Sequence, residues 1–264
     1  MTTPDVSLRM EFAIELPGPP EQVWEAIATA NGISSWFLPT ELEEREGGEI
    51  VTHMGDDASP GTVTGWEPPR RLRYEEPGWA RLSGHESASV TPLVTEFVVE
   101  ASSGGTCVLR VVSSAFGTGE DWEQEFFDEM ERGWLPYFER LRLHLTHFAG
   151  QQVTLLEAQA ALPGSGGHVL SAMRDDLGIR EVGHGFEARG LTGTVERIAE
   201  YDILVRLTGD VPGFLALLAI ATGDATTLGW VQAQLFSDAA GEYVARERAA
   251  WQAWLEGLAV RAPG

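Results

Sequence analysis

Six histidines, one cysteine and a large surplus of carboxylates are the reactive side chains of this 264-residue chain. His144 and His147 stand three apart in a helical pattern and would share a face. A zinc site needs further ligands at suitable spacing. None is in view, so the pair reads as charge at a helix C-terminus, which the macrodipole favours. His53 lies in a strand-like run and could donate or accept a hydrogen bond in the interior; a surface or satisfied core position is the simpler reading. His85 follows a glycine in a loop-like stretch and carries the same two readings. The adjacent carboxylates Glu43-Glu44 and Asp175-Asp176 sit in hydrophilic segments and read as solvated loops. The G-x-S-x-G elbow, the G-x-x-x-x-G-K-[ST] phosphate loop, H-E-x-x-H and C-x-x-C are absent from the sequence. No catalytic set, metal or cofactor is implied.

Cys107, flanked by Val108, Leu109 and Val111, reads as a small buried strand residue. It has no partner for an internal disulfide, which places the chain in a reducing cytoplasm. The net charge of −22 argues against nucleic acid and anionic membranes, both of which need a basic face, and leaves cationic or neutral partners. The longest apolar run, Phe214 to Thr222, is too short for a membrane span of roughly 20 residues. The N-terminal MTTPDVSLRM lacks the apolar region of a signal peptide.

The elements that must position these residues come in repeated order. LPGPPEQVWEAI from Leu16 aligns without a gap on LPGSGGHVLSAM from Leu162, each after a strand-like run. Gly61-Thr62-Val63 is echoed by Gly193-Thr194-Val195, and hairpin patterns follow in both halves. Trp134, Phe138 and Leu141 are mirrored by Trp251, Leu255 and Leu258. The chain therefore reads as two tandem copies of one α+β fold, residues 1–149 and a shortened, divergent 150–264. Each runs strand, helix, several antiparallel strands and a long terminal helix.

In the first copy Leu8, Met10, Phe12 and Ile14 alternate with polar or small residues, as in a strand with one buried face. The terminal helix contains Gly133 and Pro136, which cost about 1 and 3 kcal/mol relative to Ala inside a helix. Gly133 reads as the point of closest approach to the sheet and Pro136 as a kink that holds a cavity open.

VWEAI, SSWF, EGG, GTVTGWEPPRRLRYE, GGTCVLRV and ERGWLPYFERL follow one another between residues 8 and 148. In that order they resemble the SRPBCC (START-like, helix-grip) superfamily, in the branch similar to the C-terminal domain of the heat-shock-protein-90 ATPase activator. The resemblance implies a curved antiparallel sheet around a long C-terminal helix, enclosing an apolar cavity. It puts Trp36 and Phe37 in the loop at the pocket mouth. His53, Trp66, Tyr74, Trp79, Phe97, Arg110, Phe116, Trp122, Phe126, Met130 and Trp134 complete the candidate ligand-binding set, on strands or helix that could face inward. The many tryptophans favour an apolar pocket over plain core packing.

The leading expectation is binding of a hydrophobic small molecule in the first copy, without catalysis. The alternatives are a polyketide cyclase or aromatase-like enzyme, and a co-chaperone-like module that stimulates an ATPase through a protein partner. The chain is expected to be a monomer or weak dimer, its tandem copies standing in for the pairing of single-copy relatives.

Overall fold

The computed structural model describes residues 5–55, 57–85, 89–223 and 225–261. The chain divides into two compact units, Met1–Gly150 and Gln151–Gly264. The first runs β1 (Val6–Pro17), α1 (Pro20–Ala28), α2 (Ala30–Ser34), β2 (Thr40–Leu42), β3 (Glu49–Met54), β4 (Asp57–Glu67) and β5 (Arg71–Glu76). It continues through α3 (Trp79–Leu82), β6 (Leu93–Ala101), β7 (Thr106–Gly117) and α4 (Asp121–His147). The strands form one antiparallel sheet in the order β1-β7-β6-β5-β4-β3-β2, curled against α4.

The alternation of β1 is visible in its burial: Leu8, Met10 and Leu16 are buried while Arg9, Glu11 and Glu15 face water. Because α4 runs for 27 residues, about 40 Å at a helical rise, it covers two interior clusters. Trp134, Phe138, Leu141 and Leu145 join Met10, Leu16, Leu72, Phe97, Leu109 and Val111 in the larger. Phe127 joins Leu8, Trp79, Leu93 and Ala115 in the smaller, and Met130 packs against both. Between them the inner face of the sheet turns polar, with Thr95 of β6 beside Ser113 of β7.

The second unit has β8 (Thr154–Pro163), α5 (Gly166–Asp176), β9 (Gly185–Ala188), β10 (Leu191–Ile198), β11 (Asp202–Thr208), β12 (Gly213–Gly223), β13 (Thr226–Leu235) and α6 (Ala240–Arg261). Its antiparallel order β8-β13-β12-β11-β10-β9 repeats the first circuit with one strand fewer. Both units are helix-grip folds.

The sequence repeat has a backbone cause. Gly18 and Gly164, the glycines of the two LPG motifs, adopt φ of 101° and 106°, left-handed values that L side chains rarely adopt. The turn carbonyl is held in matching ways: Cys107 Sγ donates to Gly18 O at 3.2 Å, and Thr227 Oγ1 to Gly164 O at 2.7 Å. At Gly61 a Cβ would stand 2.8 Å from Glu75 O, and at Gly193 2.3 Å from Arg206 O, so both GTV motifs need glycine for close strand approach. A bulge follows each motif, between Val63 and Gly65 and between Val195 and Arg197.

Of the two helix breakers, Gly133 calls for a correction. The helix α4 runs through Gly133 and Pro136 without interruption. Gly133 is exposed, with nothing within 4 Å of where its Cβ would stand, so it faces water and not the sheet. Trp134, one residue on, is the side chain that turns inward. No helix among the described residues is long and apolar enough to cross a membrane.

Candidate ligand pocket

The inner face of the first sheet, the α1–α2 corner and α4 converge on a small enclosed space. Ile27 and Ile33 reach it from α1 and α2, Trp36 and Phe37 from the following loop, Ile50 and Thr52 from β3. Tyr74 of β5, Phe97 of β6 and Trp134 of α4 complete the wall. The cavity measures about 10 Å³, room for about one water molecule. The expected open cavity is therefore filled, by aromatic side chains.

Phe37 closes it. Its ring stacks on Trp134 with centroids 5.0 Å apart and planes 4° from parallel. Its edge meets Tyr137 at 4.7 Å, and Trp36 lies 5.5 Å away. Trp36 is fixed in turn by its indole N–H, which donates to Ala26 O at 2.9 Å. Among the lining residues Phe37 alone is partly exposed; the others are buried.

One wall is polar. Tyr74 is buried, and burial pushes its phenol well above the ordinary value; the charge of Glu76 adds to this and Thr95 offsets part. The phenol is thus neutral at physiological pH. Two residues along the same face of β5, Glu76 accepts a hydrogen bond from Ser59 Oγ at 2.6 Å. Burial pushes the Glu76 carboxyl up, and the Ser59 bond offsets part. Ser59 is the cross-strand neighbour of Thr52, which lines the pocket.

The structure brings together Trp36, Phe37, Tyr74, Phe97 and Trp134 of the expected set, and distributes the rest elsewhere. Trp66 reaches the inner face because the β4 bulge reverses the alternation, but it packs edge-on against Trp24 at 5.1 Å, away from the cavity. Trp79, Trp122 and Phe126 build the smaller cluster, with Met130 at its junction with the larger. His85 joins them, its ring stacked on Trp122 at 4.1 Å.

Three expected residues prove to face outward. Arg110 and Phe116 alternate with the buried Leu109, Val111 and Ala115 on β7, which sets them on the outer face; Phe116 is 50% exposed. His53 lies on the outer face of β3 with Nε2 3.1 Å from Glu41 Oε1. His144 is not a charge at the helix end: it is buried, and burial pulls its imidazole down to about 4, so it is neutral. Glu76 and Ser59 were not anticipated. The alternation Leu72, Tyr74, Glu76 carries the signal for the former, hidden because the pair Glu75-Glu76 looks solvated.

Residues 17–146 match the family described as Activator of Hsp90 ATPase homolog 1-like protein. The first domain is similar to that family over most of its length. All the pocket-lining residues fall within the match, and the second domain lies outside it. No curated protein matches the chain. Among solved structures the chain is similar to DynU16, a putative protein in the dynemicin biosynthetic locus, at 19% identity over 98% of this chain and 100% of that one, TM-score 0.42. It is similar to the di-domain ARO/CYC BexL from the BE-7585A biosynthetic pathway, at 13% identity over 96% and 97%, TM-score 0.43. The Bacillus halodurans protein BH1534 is 23% identical over 53% of this chain and 99% of its own, TM-score 0.43. The fold of the family is in general a ligand-binding one.

Proposed function

We propose that the first domain binds a small apolar ring compound, which enters by displacing Phe37 from Trp134. The observation that carries this reading is the convergence of five aromatic side chains, Tyr74 among them, and of Thr52 on one enclosed point, closed by a single partly exposed ring. Apolar walls with a few placed polar groups are the usual make-up of ligand sites. An aromatic pair contributes about 0.5–1.5 kcal/mol beyond its buried area. Exchanging the Phe37 ring for a ligand ring on the same Trp134 face is therefore close to neutral in stacking energy, and the ligand's burial supplies the gain.

The test is titration of the full-length protein with 2-naphthol, followed by calorimetry. Phe37→Ala removes the competing ring and is expected to tighten binding about tenfold; Trp134→Ala removes the stacking surface and is expected to weaken it by at least as much. Binding that is absent from both wild type and Phe37→Ala, with the fold retained, overturns the reading.

A second reading draws on the filled interior and the family's description: an interaction module that stimulates an Hsp90-type ATPase. Acceleration of such an ATPase by the wild type, undiminished in Trp134→Ala, favours it. A cyclase-like reaction has less support, because His53 and Arg110 lie outside and leave Thr52 and Tyr74 as the polar groups of the cavity wall. On this account residues 150–264 are a shortened copy with its own filled core.

A further inference from the structure

The make-up of the pocket wall narrows the ring compounds it can hold. None of the described residues that line it carries a charge, and its hydroxyl groups are those of Thr52 and Tyr74. Tyr74 does not stand alone. Directly opposite it across the sheet is Thr95 of β6, and opposite Thr95 is Ser113 of β7. All three are buried, Ser113 completely. The Ser113 and Thr95 hydroxyls lie 3.1 Å apart, and Thr95 in turn hydrogen-bonds the Tyr74 phenol. A hydroxyl brings one proton and also accepts. Three bonded in series therefore leave Tyr74 one hydrogen-bonding position that the row does not use, at the end where the cavity lies.

A ligand that filled this space with carbon alone would shut water away from the Tyr74 and Thr52 hydroxyls and leave them unmet, which a site rejects. A charged group would fare no better, because no lining residue supplies its counter-ion. Size sets the next limit: about 10 Å³ beside these hydroxyls admits one small polar group, while a ring needs the place that Phe37 holds on Trp134. Direction sets the last. The hydroxyl row can run either way, and the group that answers both directions is itself a hydroxyl, since it donates and accepts.

We infer that the ligand of this pocket is a neutral hydroxyarene, its ring on Trp134 and its hydroxyl in the cavity on Tyr74 and Thr52, with Tyr74 as the residue that sets specificity. This rests on the pocket reading. The experiment keeps the two separable by titrating three naphthalene probes into the full-length protein at pH 7: 2-naphthol, 2-methylnaphthalene, which puts a methyl in place of the hydroxyl, and the anionic 2-naphthoate.

Wild type is expected to bind 2-naphthol about tenfold more tightly than 2-methylnaphthalene, and 2-naphthoate most weakly. Tyr74→Phe is expected to bring the preference for naphthol to about one by weakening naphthol and leaving 2-methylnaphthalene in place. Circular dichroism and the melting temperature establish that the variant folds. Where it does not, Thr52→Val takes its place and is expected to cut the preference to about threefold. Equal affinity for 2-naphthol and 2-methylnaphthalene in wild type, tightest binding of 2-naphthoate, or a preference undiminished in the folded variant overturns the hydroxyarene assignment alone. Failure of all three probes to bind either wild type or Phe37→Ala overturns the pocket reading and this inference with it.

Discussion

At the start of α4, Glu123 is almost fully buried, yet it accepts hydrogen bonds from Thr118 N at 2.8 Å, Thr118 Oγ1 at 2.9 Å and Gly119 N at 2.9 Å. Burial pushes its carboxyl up, but the donors outweigh this and hold it below the usual value of 4.5. A carboxylate depressed on folding adds stability that is full above its ordinary value and is lost as pH falls through its folded value. Glu123→Gln is therefore expected to cost about 2 kcal/mol at pH 7 and progressively less below the usual carboxylate value, as read by urea unfolding at neutral and acid pH. An equal deficit at both would contradict the assignment. Residue types alone did not reveal such roles. Arg110 and Phe116 have the chemistry of pocket residues but the wrong phase on β7, and Trp66 has its phase reversed by a bulge that no pattern of side chains announces. Tyr74, Phe97 and Trp134 converge because their phase on β5, β6 and α4 agrees with their type, whereas Trp36 and Phe37 sit in a loop that only the family resemblance pointed to.

Elements were easier to read than residues, because the repeat is written in glycines that the backbone requires. LPG and GTV recur since a left-handed φ and a close strand approach recur, and both survive divergence of the side chains around them. The terminal helix was read correctly as a helix and wrongly at Gly133. Periodicity gives a buried stripe, but Gly133 lies off that stripe and contributes no packing. It follows that Gly133→Ala should stabilise the first domain by about 0.5–1 kcal/mol, the difference in helix propensity between the two residues. Chemical denaturation checks this, and a loss of stability would restore Gly133 as a point of close packing.

At the scale of the whole molecule, each unit holds its own interior cluster, Trp134 anchoring one and Trp251 the other. Core truncation of a large aromatic costs about 3–5 kcal/mol, and separate cores lose it separately. Trp251→Ala is thus expected to lower one calorimetric transition and leave binding of 2-naphthol unchanged; a uniform shift of all unfolding would show a single cooperative unit. The central claim concerns the first core, where an aromatic plug stands in place of an open cavity. A crystal structure of the protein soaked with 2-naphthol tests it most directly. The account predicts the naphthyl ring lying on Trp134 in place of Phe37, with Phe37 turned outward. A probe bound elsewhere, with Phe37 still stacked at 5.0 Å on Trp134, would contradict it.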